Sequence, residues 1–296
     1  MKRKQVSLTH KSTVNSLQFF PSSRVLLSAG ADFTLHILPA EPLDADSNSP
    51  KVFNSVRSLM GHTRAITATA IVALGRNIIS ASRDSTVRLW DVAASKEISC
   101  IRGESSYSAI ALARRSESNF DFPKPDGEGN VSTASNADSR EVETDDKLVY
   151  CASQNGVLDV LDLRTKGVAH RQTLGIGSFS CLAYSSSTSL LATGTTKGVI
   201  TIHDVRALET PMTTFCRNDA LVESLSFLHN DGEQVNLVVG TEDGMAFVAN
   251  IRPEGPSVEA EIVGGDCDAV HVVKGGSKNE FWTASGDGIV RKYQAW

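Results

Sequence analysis

The chain lacks any apolar run near the roughly 18–20 residues that a membrane-spanning helix needs. No apolar core follows the basic start Met1-Lys2-Arg3-Lys4, so a secretory signal is not expected. A membrane partner is excluded on this reading, and a cytoplasmic or nuclear setting is expected. Positive charge is not in excess either: 29 Lys and Arg stand against 34 Asp and Glu, a net charge of -5. A general nucleic-acid binder usually carries the opposite balance, so no nucleic-acid partner is expected. Cysteines are few, five in all, and no two are spaced as CxxC. That removes a thiolate zinc site and a thioredoxin-like motif. In a reducing compartment Cys100, Cys151, Cys181, Cys216 and Cys267 are expected to be free and to pack as small buried hydrophobes. Aromatic residues make up only 6%.

Enzyme signatures are missing too. There is no GxxxxGK[ST] phosphate loop, no GxSxG nucleophile elbow and no HExxH zinc motif. Gly175-Ile176-Gly177 lacks the third glycine and the following helix of a dinucleotide fingerprint. The seven histidines show no metal-ligand spacing on one element. Neither catalysis, a cofactor nor a metal is expected. The remaining function class is binding.

What the chain does contain is a repeat. Gly61–Ile98 starts with Gly-His, reaches Trp90-Asp91, and holds strand-length apolar runs at Ile66–Leu74, Asn77–Ala81 and Thr86–Trp90, each separated by a turn signal. An earlier copy is His10–Leu38. Later copies end at Lys147–Arg164, Leu190–Arg206, Leu237–Arg252 and Phe281–Gln294. Every copy runs small-residue strand, tight turn, alternating apolar strand.

The second copy resembles a WD40 repeat, and the other five resemble degraded ones. The resemblance implies an all-β WD40 β-propeller over residues 1–296, a single domain of six blades, each a four-stranded sheet. Seven blades are expected instead if an N-terminal blade lies outside this chain. Each copy opens with the outer strand of the preceding blade, and the last copy ends after its third strand. Lys4–Thr9 is therefore expected to supply the missing strand and close the ring. Two insertions interrupt the pattern, Pro39–Ser55 and residues 114–146. The second is acidic and Ser-rich, so it is expected to be disordered.

The WD40 resemblance also implies a hydrogen-bonded set in the second copy: His62, Ser82, Asp84 and Trp90. His62 would donate to Ser82, and Ser82 would reach the Trp90 indole. Other copies depart from it. Asp32, Asp243 and Asp287 keep the turn acid, while Asn155 and Lys197 replace it. Leu38, Leu161, His203, Ala249 and Tyr293 stand where the tryptophan would be. Those blades are expected to rely on packing.

More specifically, GHTRAITATAIVALGRNIISASRDSTVRLWD, together with the first copy, is similar to the proteasomal ATPase-associated factor family of 19S regulatory particle assembly chaperones. That resemblance implies a protein partner, the C-terminal domain of a proteasomal ATPase subunit. In a propeller, the residue after the Gly-His turn and the residue before the turn acid tend to line the binding face. Here they are Arg64, Arg83, Gln154, Asp219, Glu242 and Asp268. A second reading stays open. Asp162 with Arg164, and Asp204 with Arg206, resemble the WDxR box of cullin–RING ubiquitin ligase substrate receptors, which would make them adaptor contacts. A third is another scaffold role, in ribosome biogenesis or signalling.

Overall fold

The computed structural model of the protein describes residues 5–6, 9–40, 51–52, 54–115, 138–228, 234–252, 255–264, 268–276 and 279–294. Among them there is no α-helix, and so no helix long and apolar enough to cross a membrane. The described residues form twenty-five strands in six sheets and one short ladder.

A two-residue strand β1 (Gln5–Val6) comes first. The first sheet is β2 (Val14–Phe19), β3 (Val25–Gly30), β4 (Thr34–Pro39) and β6 (Arg57–Met60), with the short β5 (Lys51–Val52) inserted before its last strand. The second is β7 (Ile66–Val72), β8 (Asn77–Ser82), β9 (Thr86–Asp91) and β10 (Lys96–Arg102). The third is β11 (Tyr107–Arg114), β12 (Lys147–Ser153), β13 (Val157–Asp162) and β14 (Gly167–Thr173). The fourth is β15 (Phe179–Ser185), β16 (Leu190–Thr195), β17 (Val199–Asp204) and β18 (Thr213–Cys216). The fifth is β19 (Val222–Leu228), β20 (Val235–Thr241), β21 (Phe247–Ile251) and β22 (Ser257–Glu261). The sixth has three strands, β23 (Val270–Gly275), β24 (Glu280–Ser285) and β25 (Val290–Gln294). Each sheet is a meander in chain order, which makes the fold all-β with six blades of propeller type.

The single-domain expectation meets a division into two compact units. One comprises Met1–Leu112, Pro125–Val149 and Leu161–Ala169. The other comprises Ala113–Lys124, Tyr150–Val160 and His170–Trp296. In the first unit, Leu27, Leu35, Leu59, Ile66, Ile78 and Trp90 form one buried cluster. In the second, Ile200, Ile202, Leu225, Leu237 and Phe247 form another. The middle strands β8, β12 and β16 are buried along their whole length, which is why, apart from Asn77 and Lys147 at their starts, they read as apolar and small-residue runs.

The first strands of five sheets, β2, β7, β15, β19 and β23, carry a bulge near their start, as between Ile66 and Ala68, Phe179 and Cys181, and Val222 and Ser224. The bulge turns one polar side chain toward the next sheet. Asn15 Nδ2 donates to the Ile66 carbonyl at 2.7 Å, and Thr67 Oγ1 to the Tyr107 carbonyl at 3.1 Å. Ser180 Oγ donates to the Val222 carbonyl at 2.5 Å. In all three the acceptor is the first residue of the next sheet's innermost strand.

Gln5 and Val6 pair in parallel with Lys51 and Val52, which the first insertion supplies. Lys4, Ser7 and Leu8 of the expected closing strand lie outside the described residues. Among the described residues the sixth sheet ends at β25, whose Val290 is 63% exposed. The second insertion is not loose throughout. Asn77, fully buried on β8, donates to the Arg140 carbonyl at 3.1 Å and accepts from the Val142 amide at 2.7 Å. Lys166 pairs with the buried Glu141 at 2.7 Å. A buried amide that bonds backbone on both sides fixes residues 138–146 despite their polar composition. Residues 116–137 of the insertion lie outside the described residues.

Candidate functional site

The second sheet holds the polar set that the repeat implies, with one substitution of role. Asp84 accepts from the Thr63 and Thr86 amides, each at 3.0 Å, and from Thr86 Oγ1 at 2.6 Å. His62 Nδ1 meets Asp84 Oδ2 at 2.9 Å. The hydroxyl that continues the chain is Ser80, not Ser82: His62 Nε2 lies 2.7 Å from Ser80 Oγ, and Trp90 Nε1 donates to the same oxygen at 2.8 Å. The register explains this. Trp90 stands opposite Ile78, so Ser80 is one same-face step from the indole. Ser82 is four residues along β8 from Ile78, roughly 13 Å away. Ser82 instead donates to the Arg64 carbonyl at 3.0 Å and accepts from the Asp84 amide at 3.1 Å, tightening the turn.

The first sheet repeats the set without its tryptophan. His10 Nδ1 meets Asp32 at 3.0 Å, and His10 Nε2 meets Ser28 Oγ at 2.7 Å. His10 and Ser28 were missed in the sequence, although both separations were legible. His10 to Asp32 and His62 to Asp84 are each 22 residues apart, and His to Ser is 18 in both. His36 joins this set. Ligand-type atoms of His10, Asp32 and His36 lie within 4.8 Å of one another. All are already hydrogen-bonded: Thr34 Oγ1 bridges Asp32 at 2.9 Å and His36 Nε2 at 3.0 Å, and His36 Nδ1 meets Ser58 at 2.9 Å. The relay from Ser58 to Ser28 is scaffold.

Burial by itself would raise Asp32 and Asp84. Hydrogen bonds from His10, the Lys11 amide and Thr34 overcome it in the first, and from Thr86, the Thr63 amide and His62 in the second, so each sits at about 2. Burial pushes His62 and His36 below the usual imidazole range.

The remaining copies close their turns differently. Asp243 accepts from the Met245 amide at 3.0 Å, and Asp287 from the Ile289 amide at 2.9 Å. Where Asn155 and Lys197 replace the acid, a hydroxyl two residues earlier takes over. Ser153 bonds both the amide and the carbonyl of Val157, at 3.1 and 2.9 Å. Thr195 does the same with Val199, at 3.0 and 3.1 Å. At the tryptophan position Leu38, Leu161 and Ala249 are packed in the core. Tyr293 stacks on Phe281, with ring centroids 5.2 Å apart. His203 is fully buried; burial pushes its pKa down to about 4, against a smaller raising contribution from the Leu208 backbone.

All six residues expected to line a binding face are exposed: Arg64, Arg83, Gln154, Asp219, Glu242 and Asp268. Arg64 and Arg83 adjoin in the first unit, where the Arg83 amide donates to the Ala65 carbonyl at 2.9 Å. In the second unit the Glu242 amide donates to the Leu221 carbonyl at 3.0 Å, which sets Glu242 beside the loop that carries Asp219. The bases of this set belong to one unit and its acids to the other.

The candidate adaptor contacts lie at the opposite strand ends. Arg206 forms a two-pronged pair with Asp204, at 2.9 and 2.7 Å, and draws its carboxyl below the usual range. Asp162 is buried and caps its turn by accepting from the Arg164 amide at 3.0 Å, while the Arg164 side chain is exposed. Among the cysteines, Cys151 and Cys181 are buried, and burial pushes the Cys181 thiol up to about 12. Cys100 and Cys216 are exposed, against expectation, because they lie on outer strands. Cys267 is outside the described residues.

Repeated meander sheets and a complete His–Ser–Asp–Trp set resemble the blades of a WD40-repeat propeller. The family model "WD domain, G-beta repeat" matches residues 2–37 and 53–91. The chain is 34% identical over 160 residues to proteasomal ATPase-associated factor 1 of Bos taurus, covering 52% of this chain and 37% of that protein. It is 25% identical over 289 residues to ribosome biogenesis protein YTM1 of Chaetomium globosum, covering 94% of this chain and 58% of that protein. The chain thus spans between about a third and three fifths of the length of these relatives.

Proposed function

We propose that this WD40 scaffold holds the C-terminal domain of a proteasomal ATPase subunit, delaying its docking until the 19S regulatory particle is ready to assemble. The site is the exposed set Arg64, Arg83, Gln154, Asp219, Glu242 and Asp268, and the setting is the cytoplasm or nucleus. The observation that carries the reading is the 34% identity to a proteasomal ATPase-associated factor, which exceeds the 25% found with the ribosome biogenesis relative. A second reading, a partner in ribosome assembly, draws on the 94% of this chain that the latter match covers. The adaptor reading is weaker, since Arg206 is already engaged by Asp204.

Capture on immobilised partner separates the three. Purified chain is offered proteasomal ATPase C-terminal domains, a cullin adaptor, and ribosome assembly factors. Binding to an ATPase domain alone supports the proposal, and binding to either other class alone rejects it.

A further inference from the structure

At the strand ends remote from the Asp84 turn, the first unit has a groove of about 600 Å³, within the range of sites that hold ligand-sized groups. Phe20 forms part of its floor, and its ring sits tightly against Gly75. A Cβ built on Gly75 would lie 2.3 Å from the ring, and the backbone there has φ +93°, so only glycine fits. At the mouth two large apolar side chains face water, Val56 at 67% and Leu74 at 83% exposure.

Two exposed arginines, Arg24 and Arg57, line the same groove. Arg57 donates to Ser95 Oγ at 3.3 Å, and no carboxylate among the described residues pairs with either guanidinium. Elsewhere in this unit Arg76, Arg88 and Arg140 are paired, with Asp91, Glu97 and Asp138. In a chain of net charge -5, an apolar groove edged by two arginines that no carboxylate among the described residues neutralises is complementary to acid.

We propose that this groove docks a short linear segment of a partner protein, apolar side chains flanked by carboxylates. The apolar groups would fill the groove over Phe20 and beside Leu74, and the carboxylates would take the fork of Arg24 or Arg57. The inference rests on the reading of the chain as a protein-binding scaffold and adds a second contact surface, distinct from the Arg64 and Glu242 loops.

The test uses fluorescence anisotropy with a fluorescein-labelled peptide of alternating leucine and glutamate. One control replaces glutamate by lysine, the other leucine by serine. The expected result is saturable binding of the leucine–glutamate peptide, weakened about tenfold or more in both controls and in the Arg24→Glu/Arg57→Glu variant. Leu74→Ser should weaken it several-fold, with an unchanged circular dichroism spectrum. No saturable binding, or equal binding by the double variant, overturns the groove. Capture of the ATPase domain is measured on the same proteins. Peptide binding without that capture removes the proposed function and leaves the groove, and capture without peptide binding does the reverse.

Discussion

His62 Nε2 and Ser80 Oγ stand 2.7 Å apart, and that one hydroxyl also receives the Trp90 indole N–H at 2.8 Å. Because the indole can only donate, the Ser80 hydroxyl proton is free to go to His62 Nε2. His62 must then carry its own proton on Nδ1, facing the ionised Asp84. Three elements of the sheet are joined through Ser80, all of it buried.

Ser80→Ala should therefore destabilise the protein by about 1–3 kcal/mol, since two buried groups lose their partner at once. Ser28→Ala should cost less, because Leu38 makes no demand on that hydroxyl. Ser82→Ala should also cost less, as its bonds lie at the turn. Thermal melts of the three variants check the order. A Ser82→Ala loss larger than that of Ser80→Ala would contradict the network.

His203 gives the fold a pH dependence. The unfolded imidazole takes its proton near 6.5, and the folded one at about 4. Between those values the unfolded chain binds more protons, so stability present at pH 7 is lost as pH falls through this window. Asp32 and Asp84 act lower, between 3.8 and about 2. His203→Leu should remove part of the loss between pH 7 and 5, on the order of 1–2 kcal/mol. Urea unfolding at the two pH values measures it. An equal loss in variant and wild type would assign the effect elsewhere, His36 and His62 included.

Asn77 makes a prediction about the acidic insertion. Asn77→Ala strips both backbone contacts to Arg140 and Val142, and should cost about 1–3 kcal/mol. Deleting residues 117–137 should leave the melting temperature nearly unchanged. Extending the deletion through Asp145 should lower it as Asn77→Ala does, and equal melting of the two deletions would refute the role of Asn77.

The strands were readable because the chain alternates small-residue runs with Asp- and Gly-marked turns. The expected runs at Ile66, Asn77 and Thr86 start β7, β8 and β9. Ser80 was not readable. Ser80 and Ser82 share a face of β8, and only the pairing of Trp90 with Ile78 decides between them. Asn15, Thr67 and Ser180 were not readable either, since a bulge aims them and no residue type marks it. Composition misjudged residues 138–146, because one buried asparagine elsewhere in the chain holds them. The pairing of β1 with β5 escaped for a related reason: two residues make too short a ladder to leave a pattern.

The account's central claim is tested most directly by titrating the purified chain into isolated C-terminal domains of the proteasomal ATPase subunits in a calorimeter. The account predicts saturable binding to one of them, with Kd of about 1 µM or tighter. It also predicts that Glu242→Lys/Asp268→Lys weakens this binding and alters its salt dependence while the melting temperature stays nearly unchanged. No binding to any of these domains by folded chain would contradict the claim. Wild-type affinity and wild-type salt dependence in the double variant would remove Glu242 and Asp268 from the site.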